Sequence, residues 1–106
     1  MIQSEREVAA VLDSLHVAWE YEPRLFVFLE DEKGFVREGF RPDFYLPKFD
    51  LYIEVTKAKQ ANVTPKNKKV RTLRELYPEV KISVIYRRDF DNLRERVLEL
   101  IRESQN

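Results

Sequence analysis

The chain of 106 residues lacks cysteine, contains one histidine and has no net charge. The absence of cysteine excludes a disulfide framework, a thiol nucleophile and a cysteine-ligated zinc site. The histidine, His16, falls at the end of a helical pattern, which argues against histidine-based catalysis or metal binding. No apolar run approaches membrane-spanning length, and the acidic N-terminal segment does not resemble a signal peptide. We therefore expect a soluble, cytoplasmic protein without membrane contact, folded as one domain over residues 1–106.

The zero net charge conceals an uneven distribution along the chain. Residues 1–54 carry 12 acidic and 6 basic side chains, whereas residues 55–106 carry 7 acidic and 13 basic ones. The segment from Val55 to Arg74 contains no acidic residue and seven basic ones: Lys57, Lys59, Lys66, Lys68, Lys69, Arg71 and Arg74. Such a block is either a solvated helix face or a surface that contacts phosphate groups.

Helical patterns occur in three places. The segment Ser4–Glu7 has the spacing of a capping box and begins a helix that is expected to end at about His16. The pair Thr64-Pro65 is typical of a helix start, because threonine caps well and proline suits the first helical position. That helix is expected to end at about residue 77, and Asp89 is predicted to cap a final helix.

Strand patterns lie between these helices. One broken strand or two short strands are expected within residues 17–29, and the segment Glu30–Gly34 is the clearest turn. Further strands are expected at about 35–45, 50–56 and 80–84. The resulting order, α-β-β-β-α-β-α, predicts an α/β fold in which helices flank both faces of a mixed sheet.

Two carboxylates stand on adjacent strands of one predicted hairpin. Asp43 follows Pro42, and Glu54 lies on the polar side of an otherwise apolar strand. Taken alone, each is explained as a turn residue or as an edge-strand glutamate. Together they offer the hard oxygen ligands that Mg²⁺ requires, and the basic block behind them suits a polyanionic substrate. These features predict a metal-dependent nuclease. Glu5 borders the buried face of the first helix, either as a third site acid or as an ordinary first-turn acid.

The helix with Glu5, the hairpin with Pro42-Asp43 and Glu54, and the following helix and strand resemble the PD-(D/E)xK nuclease superfamily over essentially the whole chain. This resemblance implies a restriction-endonuclease-like fold in which Asp43, Glu54 and the Val55 carbonyl hold Mg²⁺, or Mn²⁺ in its place. It also implies that Glu5 is an outer ligand. The segment 4–8 further resembles the archaeal-type Holliday junction resolvases, which implies a homodimer that cuts four-way DNA junctions.

One position departs from the superfamily pattern. The pattern has a lysine two residues after the second acid, where it orients the attacking water and offsets negative charge, and this chain has Thr56 there. Lys57 and Lys59 are the candidate replacements if the chain bends after Thr56, and Lys59 is preferred because its longer path gives it more freedom. If neither replaces the lysine, the domain is a non-catalytic DNA-binding or interaction module. A restriction or mismatch-repair type endonuclease is a further alternative.

The predicted partners are DNA and a second copy of the chain. The residues predicted to contact DNA are all basic: Arg6, Lys57, Lys59, Lys66, Lys68, Lys69 and Arg71. Paired cleavage of a two-fold symmetric junction calls for a C2 dimer. The aromatic candidates for its interface are Phe35, Phe40, Phe49 and Tyr86.

Overall fold

A computed structural model describes residues 1–58 and 65–106 of the chain. The elements follow one another in this order: α1 (Gln3–Ser14), β1 (Glu20–Tyr21), β2 (Phe26–Glu30), β3 (Val36–Phe40), β4 (Phe44–Leu46), β5 (Leu51–Val55), α2 (Pro65–Leu76), β6 (Lys81–Ile85), a 3₁₀ helix (Arg87–Asn92) and α3 (Leu93–Ser104). No helix among the described residues is both long and apolar enough to cross a membrane.

The central sheet contains four strands in the order β1-β4-β5-β6. Strand β5 pairs antiparallel with β4 and parallel with β6, so the sheet is mixed. Helices α1 and α3 pack on one face, while α2 and a separate β2–β3 hairpin cover the other. This arrangement confirms the predicted α/β fold with a mixed sheet flanked by helices.

Strand β5 lies between the two core layers, and all five of its residues are buried. Leu51, Ile53 and Val55 join the layer formed with α1 and α3, whereas Tyr52 joins the layer formed with α2 and the hairpin. Full burial of each large aliphatic side chain contributes roughly 1.5–3 kcal/mol. Glu54 therefore lies on a central strand inside the core and not on an exposed edge.

The predicted strand over residues 35–45 is divided into two strands that belong to different sheets. β3 pairs with β2, whereas β4 pairs with β5. Pro42 lies between β3 and β4, and proline cannot donate a main-chain hydrogen bond to a neighbouring strand. The predicted turn before β3 is confirmed: Asp31 accepts hydrogen bonds from the N–H groups of Lys33 and Phe35, both at 2.9 Å.

Two predicted helix starts are wrong. The Ser4–Glu7 capping box does not form, because α1 begins at Gln3 and the Glu5 carboxylate accepts the hydrogen bond from the Ile2 N–H instead, at 3.2 Å. Asp89 does not cap the final helix. Its carboxylate accepts a 2.7 Å hydrogen bond from the Tyr86 N–H at the start of the 3₁₀ helix, and α3 begins only after that helix ends.

The four aromatic residues predicted for a dimer interface differ in exposure. Phe40 is 4% exposed and belongs to the core, so its assignment to an exposed interface is wrong. Phe49 and Tyr86 are half-buried against the two core clusters. Phe35 remains 64% exposed beside the turn of the β2–β3 hairpin.

Candidate active site

Asp43 and Glu54 lie opposite each other where β4 and β5 pair. The register pairs Phe44 with Ile53, which places Asp43 across from Glu54 one residue further along. The Asp43 N–H donates to Glu54 Oε1 at 3.1 Å, and the Val55 N–H donates to Asp43 Oδ2 at 2.8 Å. Each carboxylate thus accepts a main-chain hydrogen bond from the opposite strand, which fixes both side chains in place.

Burial strongly perturbs both carboxylates. Asp43 is 6% exposed and Glu54 is 3% exposed. Loss of solvation and the nearby charge of Glu54 raise the pKa of Asp43 to about 8, and burial also raises the pKa of Glu54. Contacts with Lys66 lower the pKa of both acids but offset only part of this effect. Two acids placed this close in a buried site therefore favour a bound cation.

A positive charge reaches this pair from helix α2. The Lys66 Nζ donates a 2.6 Å hydrogen bond to the Val55 carbonyl oxygen. The same nitrogen lies 3.3 Å from Glu54 Oε2 and 3.8 Å from Asp43 Oδ2. The sequence predicts that Lys66 contacts DNA and does not indicate its position among the site oxygens.

The chain path explains how Lys66 reaches the site. Strands β5 and β6 are parallel, so the chain between them must cross from one end of the sheet to the other, and α2 belongs to this crossover. The N-terminus of such a helix lies near the carboxyl end of the preceding strand, where Glu54 and Val55 are found. The described part of the helix begins at Pro65, as predicted, and Lys66 is the next residue. The predicted order of strand, helix and strand is the sequence signal that could have pointed to Lys66.

Glu5 is linked to the pair from helix α1. It is 6% exposed, and its Oε1 accepts a 2.8 Å hydrogen bond from the Tyr21 hydroxyl. Burial raises the pKa of Glu5, but the hydrogen bonds from Tyr21 and Ile2, together with the neighbouring Asp43 carboxyl, lower it on balance. The hydrogen bond to Glu5 in turn raises the pKa of the Tyr21 phenol. Glu5 is therefore an ionised acid next to the pair, and Tyr21 is a neighbour that the sequence did not indicate.

The surroundings of Thr56 do not suit a lysine side chain. Thr56 is 7% exposed, its N–H donates to the Ile85 carbonyl at 3.0 Å, and its hydroxyl accepts from the Ala58 N–H at 3.2 Å. Lys57 is exposed and lines a separate cavity of about 270 Å³ beside α1 and the 3₁₀ helix. No contact joins its side chain to either carboxylate among the described residues. Lys59 lies outside the described residues.

The remaining residues predicted to contact DNA lie on the surface. Lys68, Lys69 and Arg71 are exposed on α2, and Arg6 is exposed on α1. A groove of about 460 Å³ runs between α2 and the β2–β3 hairpin and is lined by Phe28, Arg37, Glu38, Gly39, Lys68, Lys69 and Thr72. The basic block thus contributes one lysine at the carboxylates and two, Lys68 and Lys69, along an open groove.

The oxygen atoms of the site fit a hard divalent cation. Two buried carboxylates and one main-chain carbonyl converge on the same point, and Mg²⁺ commonly binds one or two carboxylates while it retains several waters. Within residues 1–58 and 65–106, no group of three or more Asp, Glu, His or Cys side chains is arranged to hold a metal ion. The donor set therefore suits a partly hydrated ion and not an all-protein cage.

Comparison with known proteins supports the fold assignment. No protein-family model matches the chain, and no curated protein matches its sequence. The structure is similar to the catalytic domain of the homing endonuclease I-Bth0305I, with a TM-score of 0.63, 22% sequence identity and alignment over 100% of both chains. The chain has a nuclease-like fold. Because the identity is low, the similarity establishes the architecture and not the chemistry.

Proposed function

We propose that this protein is a metal-dependent endonuclease that hydrolyses phosphodiester bonds in DNA. The observation that carries the proposal is the convergence of Asp43, Glu54, the Val55 carbonyl and Lys66 on one point at the end of β5. This combination of buried acids, a main-chain oxygen and an ammonium group places both charge signs needed for phosphodiester chemistry in one site. The similarity of the fold to an endonuclease catalytic domain supports the same assignment.

Asp43, Glu54 and the Val55 carbonyl would hold Mg²⁺, or Mn²⁺ in its place. When bound, the ion supplies Lewis-acid polarisation of the phosphate and lowers the pKa of a bound water. The main-chain hydrogen bonds to both acids keep their oxygens in position before the ion arrives. Glu5 would act as an outer ligand, because it contacts Asp43 and is itself oriented by Tyr21.

Lys66 would supply the positive charge that the superfamily pattern has at the position of Thr56 and that this chain lacks there. An ammonium beside a reacting phosphate offsets the negative charge that develops in the transition state. The alternative of a non-catalytic binding module rests on the absence of this lysine. The position of Lys66 favours the enzyme, because the required charge reaches the carboxylates from α2.

The basic groove would bind the DNA backbone beside the reacting phosphate. Lys68 and Lys69 follow Lys66 on the same helix and line the groove between α2 and the β2–β3 hairpin. Contacts between lysine and phosphate are independent of base sequence, so this surface favours recognition of the duplex backbone over base reading.

The preferred DNA is a four-way junction cut by a homodimer. The resemblance of residues 4–8 to the archaeal-type resolvases supports this substrate, and paired cuts in a two-fold symmetric junction require two sites. Linear duplex DNA, as cut by a restriction or mismatch-repair type enzyme, is the alternative substrate. The overall fold is compatible with both.

The test is a cleavage gel with nicked, linear and four-way-junction DNA. Each substrate is incubated with Mg²⁺, Mn²⁺ or EDTA, and Asp43→Asn serves as the control because it keeps the shape of the side chain and removes the charge. We expect cleavage with Mg²⁺ or Mn²⁺, none with EDTA or Asp43→Asn, and faster cleavage of the junction than of linear duplex. Wild-type protein that binds these DNAs but cuts none, at any metal concentration or at elevated temperature, would overturn the proposal.

A further inference from the structure

Lys66 lies where a cation bound by the three site oxygens would lie. Its Nζ is 2.6 Å from the Val55 carbonyl oxygen, 3.3 Å from Glu54 Oε2 and 3.8 Å from Asp43 Oδ2. We propose that the Lys66 ammonium is a built-in substitute for the metal in the free protein, and that a divalent cation must displace it. This inference rests on the proposed function for the identity of the metal ligands.

The free site requires a positive charge to balance its acids. When both are ionised, Asp43 and Glu54 repel each other strongly, because both are almost fully buried and water screens their charges poorly. Unpaired buried charge is strongly unfavourable, and one ammonium offers three N–H donors to the surrounding oxygens. Lys66 meets this requirement from helix α2, whereas the acids lie at the β4–β5 strand pair.

The same geometry excludes the lysine and the metal from the site at the same time. A metal ligand atom lies about 2.0–2.1 Å from Mg²⁺ and about 2.3–2.6 Å from Ca²⁺. The Val55 carbonyl oxygen already has Nζ at 2.6 Å, so a metal bound to that oxygen and to both carboxylates would overlap the ammonium. Two cations this close in a buried site repel each other strongly. Binding of the metal therefore requires Lys66 to move.

Lys66 is able to move because its side chain is partly exposed and enters the site from the helix beside it. Its side chain is 43% exposed, it lies in the first turn of α2, and its stem has four rotatable carbons. Lys68 and Lys69, which line the basic groove, follow Lys66 on the same helix. If a metal ion displaces the Lys66 ammonium, the ammonium would move toward DNA bound along this helix. This movement would occur only when the metal is present. Metal and DNA binding should then strengthen each other, and such coupling is reciprocal.

The first measurement is metal affinity without DNA. Binding of Mn²⁺ and of Ca²⁺ is measured by calorimetry for the wild type, Lys66→Met and Lys68→Met. Lys66→Met keeps the apolar stem and removes the ammonium, whereas Lys68→Met removes the same charge from an exposed position on the same helix. We expect Lys66→Met to bind at least about tenfold more tightly than the wild type and Lys68→Met to match it. Equal affinity of Lys66→Met and the wild type would overturn the inference.

The second measurement locates the ammonium, since a nearby charge also weakens metal binding without being displaced. In ¹⁵N-labelled wild-type protein, the ammonium signal of Lys66 reports its hydrogen bond to the Val55 carbonyl oxygen. We expect saturating Ca²⁺ to move this signal to the position of a solvent-exposed lysine. A signal that keeps its metal-free position while Ca²⁺ is bound would overturn the inference. The signal is assigned through bonds in the wild type, so this result does not depend on the folding of Lys66→Met.

The two proposals fail in different ways. If neither the wild type nor Lys66→Met binds Mn²⁺ or Ca²⁺, the metal site is absent and both proposals fall. If the wild type binds metal while the Lys66 ammonium stays on the Val55 carbonyl oxygen, only the displacement is wrong and the nuclease proposal stands.

Discussion

The acidic and basic halves of the candidate site are held in different ways. Asp43 and Glu54 lie at a strand pair, are almost fully buried and accept main-chain hydrogen bonds from the opposite strand. Lys66 lies in the first turn of α2, is 43% exposed and reaches the same oxygens through a flexible stem. The sheet therefore fixes the negative charges, whereas the positive charge is adjustable.

The two halves of the site therefore suit two different tasks in phosphodiester hydrolysis. Ligands for a metal must be in position in advance, and the main-chain hydrogen bonds of a central strand pair provide that rigidity. A cation that contacts oxygens in the free protein and phosphate in the complex needs freedom to move, which an exposed helix terminus allows. Changes in the acidic half should therefore abolish the reaction, and changes in the basic half should separate rate from binding.

The largest effect is expected from the acidic half. Asp43→Ala or Glu54→Ala should lower the cleavage rate by at least about 10³-fold, because a metal ion supplies several kcal/mol of transition-state stabilisation. DNA affinity should be kept or slightly increased, since each change removes an acid that repels phosphate when it is ionised. Single-turnover cleavage and a binding titration measure the two quantities. Glu20→Ala, on an exposed strand residue, is the matched control, and full activity of either site variant would contradict the assignment.

The next effect concerns Lys66 and distinguishes it from the lysines close to Thr56. Lys66→Ala should slow cleavage by about 10²-fold or more while DNA affinity stays close to that of the wild type, because its contact with phosphate develops in the transition state. Lys48→Ala, at an exposed lysine away from the basic block, is the control. Single-turnover rates at saturating metal give the comparison. An unchanged rate for Lys66→Ala would mean that another lysine supplies the positive charge at the reacting phosphate.

Replacements near Thr56 sharpen the same comparison. Lys57→Ala should have a far smaller effect than Lys66→Ala, because the Lys57 side chain is exposed beside a different cavity. Thr56→Lys should reduce stability, because it would bury an ammonium at a position that is 7% exposed and remove the hydroxyl that accepts from the Ala58 N–H. Lys59→Ala tests the residue outside the described ranges. A loss as large as that of Lys66→Ala would show that two cations contribute.

The acidic half was predictable from sequence because its signals are local. Alternation along residues 51–56 fixes which side chains share a face of β5, and Asp43 and Glu54 are separated by one short hairpin. What alternation could not reveal was the division of residues 35–45 between two sheets. That division depends on Pro42 and on the separate pairing of β2 with β3, which is a property of the assembled fold.

The basic half was not predictable from spacing alone. The predicted replacements, Lys57 and Lys59, were chosen because they are close to Glu54 in sequence. Lys66 is 12 residues from Glu54, and the crossover between parallel strands brings it to the carboxylates. In the sequence, Lys66 belongs to a basic block that also fits a solvated helix face, so its contact with the carboxylates is not evident there. In the same way, Tyr21 reaches Glu5 only because β1 pairs with β4 at the edge of the sheet.

The buried acids should also make the metal-free protein less stable as pH rises. Asp43 has a pKa of about 8 in the folded protein and an ordinary value of 3.8. Between these values the folded state binds more protons than the unfolded chain, so stability falls with rising pH. We expect Tm in EDTA to fall by several degrees between about pH 5 and pH 8.

Asp43→Asn is the variant that isolates this effect. It carries no charge at either pH and should flatten much of the dependence of Tm on pH, with Glu54 contributing a remaining slope of the same sign. Glu20→Gln, at an exposed position, should keep the slope of the wild type. Added Ca²⁺ should restore Tm at the higher pH, because the proposed metal site would bind it only when the protein is folded and the acids are deprotonated. Identical slopes for the wild type and Asp43→Asn would contradict the role of burial.

The smallest expected effect comes from the exposed lysines of the groove. Lys68 and Lys69 line the groove between α2 and the β2–β3 hairpin, without contact to the carboxylates among the described residues. Their joint replacement by alanine should weaken binding of all DNA sequences similarly and lower the slope of log affinity against log salt by about two, roughly one for each lost phosphate contact. Fluorescence anisotropy at several salt concentrations measures this slope, with Lys48→Ala as the control. The single-turnover rate at saturating DNA should remain close to that of the wild type, in contrast to Lys66→Ala. An unchanged slope would mean that this part of α2 is only a solvated face, and that within the basic helix only Lys66 acts on the substrate.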